Sequence, residues 1–311
     1  VPRVWEKIYS QVAIALGEAD KLQRAAYALA LRIGTEVATC TLEGREPALG
    51  LKLRYRLARW LVLDNVKRMI GMDRVEVGLT GAAPISPDLI RWFLALGIPL
   101  REAWGMTETT GGGTVTPAQR IRPGSIGRPG PGMQLRIAQD TNEILLRGPN
   151  VILGYLNLPE KTAETIDADG WLHTGDVGRV DDDGYFTITD RMKDIIITAG
   201  GKNITPSEIE NELKFSPYIT DAAVIGDKRP LLALIVMIDH ASLTQAKPIN
   251  DLIWSEIERV NNKFARVEQI KKFYLLQHQL TAEDDELTPT MKLKRKFVES
   301  KYAEAISAMY L

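Results

Sequence analysis

Asp190-Arg191-Met192-Lys193-Asp194-Ile195-Ile196-Ile197-Thr198-Ala199-Gly200-Gly201-Lys202-Asn203-Ile204-Thr205-Pro206 is the stretch on which the reading of this chain turns. Just upstream lie Trp171-Leu172-His173-Thr174-Gly175-Asp176 and a short acidic hairpin. An acid, a basic pair and a glycine-rich loop thus separate two regions of different character. Asp176 and Arg191 suit a ribose, because a carboxylate accepts from vicinal hydroxyls and a guanidinium donates to ring and phosphate oxygens. Taken alone, the stretch reads more simply as a surface hairpin with solvated charges. The rest of the chain reverses that reading.

The chain has 311 residues, enough for two domains, and a net charge of −1. That charge gives no support for nucleic acid as a partner. A single cysteine, Cys40, excludes an internal disulfide framework and suits a reducing compartment, so a cytoplasmic location is expected. Cys40 sits in Ala38-Thr39-Cys40-Thr41-Leu42 and reads as a buried structural thiol. No apolar run approaches the ~18 residues of a membrane span, and no stretch reads as a secretory leader. Val1 opens in what reads as mid-domain sequence, so an upstream part is expected.

From residue 1 to about 70 the pattern is helical. Leu22, Ala26, Leu29 and Ile33 recur at helical spacing, as do Leu57, Trp60, Leu63 and Val66, with Arg and Lys on much of the other face. This reads as scaffold; membrane contact through a basic amphipathic face is the weaker alternative. Val75–Leu79 is then a strand, Thr80-Gly81-Ala82-Ala83-Pro84 a loop of small residues, and Ser86-Pro87 the start of a helix closed by Gly97. Ile98–Ala103 is the next strand and runs into Trp104-Gly105-Met106-Thr107-Glu108. Strand, helix, strand predicts a parallel βαβ unit with both loops at its carboxyl edge, where open α/β sheets bind ligands. Small residues at Gly81–Pro84 let a flat base approach the backbone, and Trp104 can stack on it. Thr107 and Glu108 can offer a hydroxyl to phosphate and an oxygen to Mg²⁺.

Gly124-Ser125-Ile126-Gly127-Arg128-Pro129-Gly130 has dinucleotide-loop spacing, but Pro129 and Pro131 forbid the helix that such a loop needs. Gln134–Ile137, Glu143–Arg147, Val177–Val180 and Tyr185–Thr189 predict a small antiparallel sheet or barrel. Beyond Arg191 the pattern becomes mixed. Ile195–Thr198, Ala222–Gly226 and Leu234–Ile238 read as strands. Thr205-Pro206-Ser207-Glu208 reads as a capping box before Ile209 and Leu213. Asp251 opens a helix with Ile253, Ile257, Val260 and Phe264 inward, and a last helix follows the cationic loop Leu287–Arg295.

In this order, Thr80–Pro84, Trp104–Glu108, Gly154-Tyr155, Trp171–Asp176, Asp190–Asp194, Gly200–Asn203 and Lys292 resemble the adenylate-forming superfamily of acyl-CoA synthetases, adenylation domains and luciferases. Pro2–Lys7, Lys193–Pro206 and Leu287–Arg295 look like its long-chain fatty acyl-CoA synthetase branch. The resemblance implies an α/β fold: residues 1–190 as the C-terminal part of a large adenylate-binding domain, with an antiparallel β subdomain at 124–190. Residues 191–311 would be a small mobile α+β domain. It implies ATP, Mg²⁺ and coenzyme A as cofactor or co-substrates, a fatty acid as substrate, and peripheral membrane contact as a consequence of a lipid substrate.

The implied reaction has two steps. A carboxylate attacks the α-phosphate of ATP and releases pyrophosphate; the small domain then swings and the thiol of coenzyme A displaces AMP. The resemblance assigns adenine to Gly81, Ala82, Ala83, Pro84 and Trp104, and places Gly105 and Met106 among the nucleotide-binding residues. It assigns the α-phosphate to Thr107, Mg²⁺ to Glu108 and ribose to Asp176 and Arg191. Lys193 would be the hinge, and Gly200, Gly201 and Lys202 would line coenzyme A. Lys292 matches the catalytic lysine because Arg295 falls three residues after it; Lys294 is the competing assignment. His173 reads as structural, and His240 and His278 have no motif around them. The family's upstream phosphate loop ending in lysine is not found in these residues, where the only Gly-Lys is Gly201-Lys202. Either that loop belongs to an upstream half, or the chain is short and has another role. The alternatives are a fatty acyl-AMP ligase that loads a carrier protein, and a truncated module that binds AMP or acyl-adenylate without turnover.

Overall fold

The computed structural model describes residues 1–238, 248–276, 278, 280–281, 283–288 and 293–311. Its contacts divide the chain into two compact units: Val1–Ile8 with Ala15–Thr189, and Tyr9–Ile14 with Asp190–Leu311. The architecture is mixed α/β with several small sheets.

Helix α1 (Pro2–Glu18) has residues in both units; α2 (Lys21–Leu42), α3 (Leu49–Ala58) and α4 (Asp64–Met69) lie in the first. Asp20 caps α2: its carboxylate accepts the Gln23 N–H at 2.8 Å, and the Gln23 side chain returns to the Asp20 N–H. The buried face of α2 is Ala30, Ile33, Gly34 and Ala38, which packs on α5 (Pro87–Ala95). A side chain at Gly34 would meet the Ala95 carbonyl at 2.3 Å, so the two backbones cross in contact. Of the four residues that spacing placed inward, only Ile33 is buried, while Leu22 and Leu29 are exposed. Small residues win that face because the crossing is so close.

The second expected stripe also shifts. Arg59–Leu63 is a π-helical turn joining α3 to α4. Leu63 is buried as expected, but with the extra residue of that turn the other buried positions are Ala58 and Lys67, and Leu57 and Trp60 stand in the open. A period of 3.6 carried through that turn misplaces Leu57 and Trp60.

Strands β1 (Gly78–Thr80) and β2 (Leu100–Trp104) are parallel on either side of α5, as the βαβ reading required. β1 starts later than expected, because the Val75 N–H closes a turn onto the Met72 carbonyl. Ser86 caps α5 through the Asp88 N–H, Pro87 is its first residue, and Gly97 at φ +81° ends it. β3 (Thr114–Val115) and β4 (Arg128–Pro129) extend the sheet antiparallel. β4 occupies the glycine-rich stretch that Pro129 barred from helix.

The expected antiparallel sheet has the order β5 (Gln134–Ile137), β6 (Glu143–Arg147), β7 (Leu172–Val180) and β8 (Phe186–Arg191). α6 (Pro159–Thr165) lies between β6 and β7. β7 is longer than predicted. It takes in His173-Thr174-Gly175-Asp176, with Gly175 at φ +70° and the register against β6 slipping between Glu143 and Leu145. Such a bulge re-aims the following side chain. The acidic turn after β7 is neutralised rather than merely solvated: Arg122 pairs with Asp181 and Asp183, and Arg120 bonds Asp183 at 3.1 Å.

In the second unit, β9 (Ile196–Ile197) and β10 (Asn203–Ile204) form a hairpin, and α7 spans Pro206–Lys214. Thr205 precedes α7 without a side-chain cap bond, so the predicted capping box does not form. The Ser207 hydroxyl turns instead to Asp190 Oδ1 at 3.0 Å. A three-stranded sheet orders β11 (Ile219–Ile225), β12 (Leu232–Ile238) and β13 (Ile270–Leu275). β12 is buried on both faces, as its unbroken apolar run demands. One face packs on α7 and α8 (Ile249–Asn261); the other meets α9 (Arg295–Lys301) and α10 (Ala303–Ala308). β13 has no clean alternation and was not read from the sequence.

Glu102 on β2 is buried, and one carboxyl oxygen accepts the Gly124 N–H at 2.8 Å. Burial pushes this carboxyl from 4.5 up to about 8. The folded state therefore keeps a proton that the unfolded chain loses at about 4.5, and stability falls as pH rises from about 4.5 to about 8. Thermal unfolding of wild type and Glu102→Gln at pH 5 and pH 8 checks this. The variant should lose less stability than wild type over that interval; equal losses would contradict the assignment.

Candidate functional site

The carboxyl ends of β1 and β2 carry the two loops expected to meet adenosine. Gly81 lies against β2 so closely that a side chain there would sit 2.6 Å from the Ala103 carbonyl. Ala82 takes the left-handed conformation, φ +69°, to complete the turn. The small size of Gly81 is thus required first by its own neighbour strand.

Trp104 ends β2, 8% exposed, among Ile144, Leu146 and Phe186. Its indole Nε1–H donates to Asp176 Oδ2 at 2.7 Å. Two candidates from separate motifs are therefore in direct contact, and both are buried. The bulge at Gly175 aims Asp176 there. Glu143 holds the bulge: Oε1 accepts the Gly175 N–H at 2.7 Å, and Oε2 lies 2.9 Å from His173 Nδ1. His173 accordingly braces the strand that carries Asp176.

Gly105 and Met106 lead into a 3₁₀ turn, Thr107–Thr109, followed by Thr110 at φ +52° and Gly111 at φ +80°. A side chain on Gly105 would lie 2.4 Å from the Gly111 carbonyl, so glycine alone closes this loop. Asn150 clamps it by donating to the Thr109 and Gly112 carbonyls at 2.8 and 2.7 Å. Thr107 is exposed and Glu108 half-buried. Glu108 Oε1 accepts the Tyr155 hydroxyl at 2.7 Å, and that bond raises the Tyr155 pKa. In the sequence Tyr155 stands only beside Gly154; its role in aiming Glu108 comes from the fold. Asn150 carried no sequence signal. Among the described residues, no three His, Cys, Asp or Glu side chains converge to hold a metal ion. The half-buried Glu108 carboxylate offers a hard oxygen of the kind that shares Mg²⁺ with phosphates.

The remaining candidates lie in the second unit. Asp190 is buried; its Oδ1 accepts the Arg191 N–H at 2.7 Å, and burial raises its pKa. Lys193 is exposed, two residues past the end of β8. Gly200, Gly201 and Lys202 are exposed at the β9–β10 turn, with Gly201 at φ +74° and its N–H bonded to the Thr198 carbonyl. Lys292 and His240 lie outside the described residues. Lys294 pairs with Asp285 at 2.6 Å. Arg295 is largely buried and bonds the Val224 carbonyl at 2.8 Å and Glu210 Oε1 at 2.7 Å. The same Glu210 oxygen accepts the Val224 N–H at 2.8 Å. This clasp anchors the segment after Lys292 to the sheet.

Residues 1–156 match the AMP-binding enzyme family, and residues 193–311 match the AMP-binding enzyme C-terminal domain. The whole chain aligns at 35% identity with the long-chain-fatty-acid–CoA ligase FadD15 of Mycobacterium bovis, covering 54% of that protein. It aligns, also over its whole length and at 35%, with the long-chain-fatty-acid–CoA ligase ACSBG2 of Gallus gallus, covering 45% of it. The ATP-bound structure of MatB from Rhodopseudomonas palustris superposes with a TM-score of 0.60 at 28% identity, over 76% of this chain and 47% of that one. The chain spans about half the length of the curated relatives it matches. With one match covering its first half and the other most of the rest, the chain belongs to the AMP-binding enzyme family.

Proposed function

We propose that the complete protein is an AMP-forming long-chain fatty acid–CoA ligase. The observation that carries the adenylate chemistry is the contact of Trp104 with Asp176 at the carboxyl end of β2, where two separately encoded motifs meet. The names of the relatives supply the fatty acid and coenzyme A.

On this reading Gly81–Pro84 and Trp104 border the adenine, Gly105 and Met106 line the nucleotide, and Asp176 with Arg191 binds the ribose hydroxyls. Thr107 donates to the α-phosphate. Glu108, aimed by Tyr155, would hold Mg²⁺, which would offset charge on the phosphates. The fatty carboxylate oxygen attacks the α-phosphorus, the bond to the bridging oxygen breaks, and pyrophosphate leaves. Lys292 stabilises the charge gathered on the α-phosphate in that step. Residues 1–190 form part of the large domain, and residues 191–311 swing about Lys193. In the second step the coenzyme A sulfur attacks the acyl carbonyl, loses its proton and expels AMP. Gly200, Gly201 and Lys202 present backbone to the pantetheine. The same assignments allow contact with a membrane that supplies the lipid substrate.

Separate assays of the two half-reactions in the complete enzyme test this. Lys292→Ala should lower pyrophosphate-forming adenylation roughly hundredfold while sparing thioester formation from pre-formed acyl-adenylate. Equal loss in both half-reactions would remove Lys292 from the role. Tyr155→Phe frees the Glu108 carboxylate and should raise the Mg²⁺ concentration needed for half-maximal adenylation by about tenfold. An unchanged Mg²⁺ requirement would detach Tyr155 from Glu108's function.

A further inference from the structure

The helices α2, α3 and α5 pack on one another by their inner faces, leaving the outer face of α3 and its π-helical extension uncovered. On the inner side Ala58 is buried and the Tyr55 hydroxyl bonds the Ala95 carbonyl at 3.3 Å. On the outer side Leu49, Leu53, Leu57, Trp60 and Leu61 are all between 53% and 84% exposed. Spacings of four, four and three put Leu49, Leu53, Leu57 and Trp60 on one stripe. The π-helical turn helps create the stripe, because it withdraws Leu63 inward and leaves Trp60 outward.

The flanks of the stripe are cationic. Between Leu49 and Met69 stand Lys52, Arg54, Arg56, Arg59, Lys67 and Arg68 against one carboxylate, Asp64. Lys67 is buried; the others reach the surface. Three of them touch acids: Lys52 on Glu46 at 2.7 Å, Arg54 near Glu36 at 3.9 Å, and Arg59 on Asp64 at 3.1 Å. These are exposed pairs, worth little in water, and they exchange readily for lipid phosphate. No helix among the described residues is long and apolar enough to cross a membrane. A leucine stripe with one tryptophan and bordering Arg and Lys has the composition of a helix that lies in the plane of a headgroup layer.

We propose that the outer face of α3 and the following π-helical turn is a docking surface for an anionic lipid bilayer. Leu49, Leu53, Leu57 and Trp60 enter the acyl boundary, and Arg54 and Arg56 meet lipid phosphates. The charge of the segment is what selects this occupant: a second copy would bring the same cations against each other. The inference rests on this helix surface and not on the ligase reading, so it stands or falls without an activity assay.

The test is flotation of the complete protein with vesicles of phosphatidylcholine, with and without phosphatidylglycerol, beside thermal unfolding and sedimentation. Wild type should bind the mixed vesicles, bind pure phosphatidylcholine weakly, and be released by salt. The double variant Leu53→Ser/Trp60→Ser should bind at least tenfold more weakly with an unchanged unfolding midpoint and unchanged mass. Arg54→Gln/Arg56→Gln, which alters only exposed side chains, should weaken binding about fivefold for each cation removed. The proposal is overturned by wild type that does not bind, or by binding that both variants leave intact. It is overturned too if Leu53→Ser/Trp60→Ser lowers the unfolding midpoint by several degrees, which would show the stripe packed beneath another part of the protein. A fall from dimer to monomer in that variant would assign the face to a second copy instead.

Discussion

The hydrogen bond from Trp104 Nε1 to Asp176 Oδ2, 2.7 Å long and buried, is the interaction on which the first unit's site depends. Trp104 closes the parallel strand pair, and Asp176 belongs to the antiparallel sheet. A donor to a buried carboxylate contributes about 1.5–3 kcal/mol, and losing one partner costs more because a charge is left without its donor. The bond therefore fixes where the carboxylate points. Each end is built for it. At one end, Gly113 leaves room beside the indole, where a side chain would come within 2.7 Å of the ring. At the other, Glu143 and His173 hold the bulge that turns Asp176 inward.

Backbone contact is the second constraint. The loops that follow β1 and β2 are closed by glycines whose missing side chains are filled by neighbouring carbonyls: Gly81 by Ala103, Gly105 by Gly111. These residues read from sequence as room for a ligand. In the fold they are also what lets the two loops reach the same edge, so the rigid scaffold and the open site come from one choice of residue. Tyr155 and Asn150 then tie the Thr107–Gly112 loop down from a distant segment.

Much of this was legible in the chain because the signals were local. The Ser86-Pro87 start and Gly97 stop of α5, the alternation in β5, and the unbroken apolar run of β12 each report a backbone state directly. What failed was non-local. The π-helical turn at Arg59–Leu63 shifted the buried face by one residue, and the close crossing at Gly34 favoured small residues over leucine. Thr205 makes no side-chain cap bond to α7, and Ser207 in the first turn bonds the buried Asp190. β13, Ile270-Lys271-Lys272-Phe273-Tyr274-Leu275, has two cations in mid-strand, and is a strand only because β12 pairs with it. At the site, the candidate residues came from motif resemblance, whereas the partners that orient them, Tyr155 for Glu108 and Glu143 for the Gly175 bulge, needed the fold.

The measurement that bears most directly on the account is the affinity of the complete protein for AMP against 2′,3′-dideoxy-AMP, in wild type and in Asp176→Asn. If Asp176 reads the ribose hydroxyls at this edge, wild type prefers AMP by about tenfold or more and the variant loses most of that preference. Equal affinities in wild type, or a preference that survives Asp176→Asn, would contradict an adenosine site built on the Trp104–Asp176 contact.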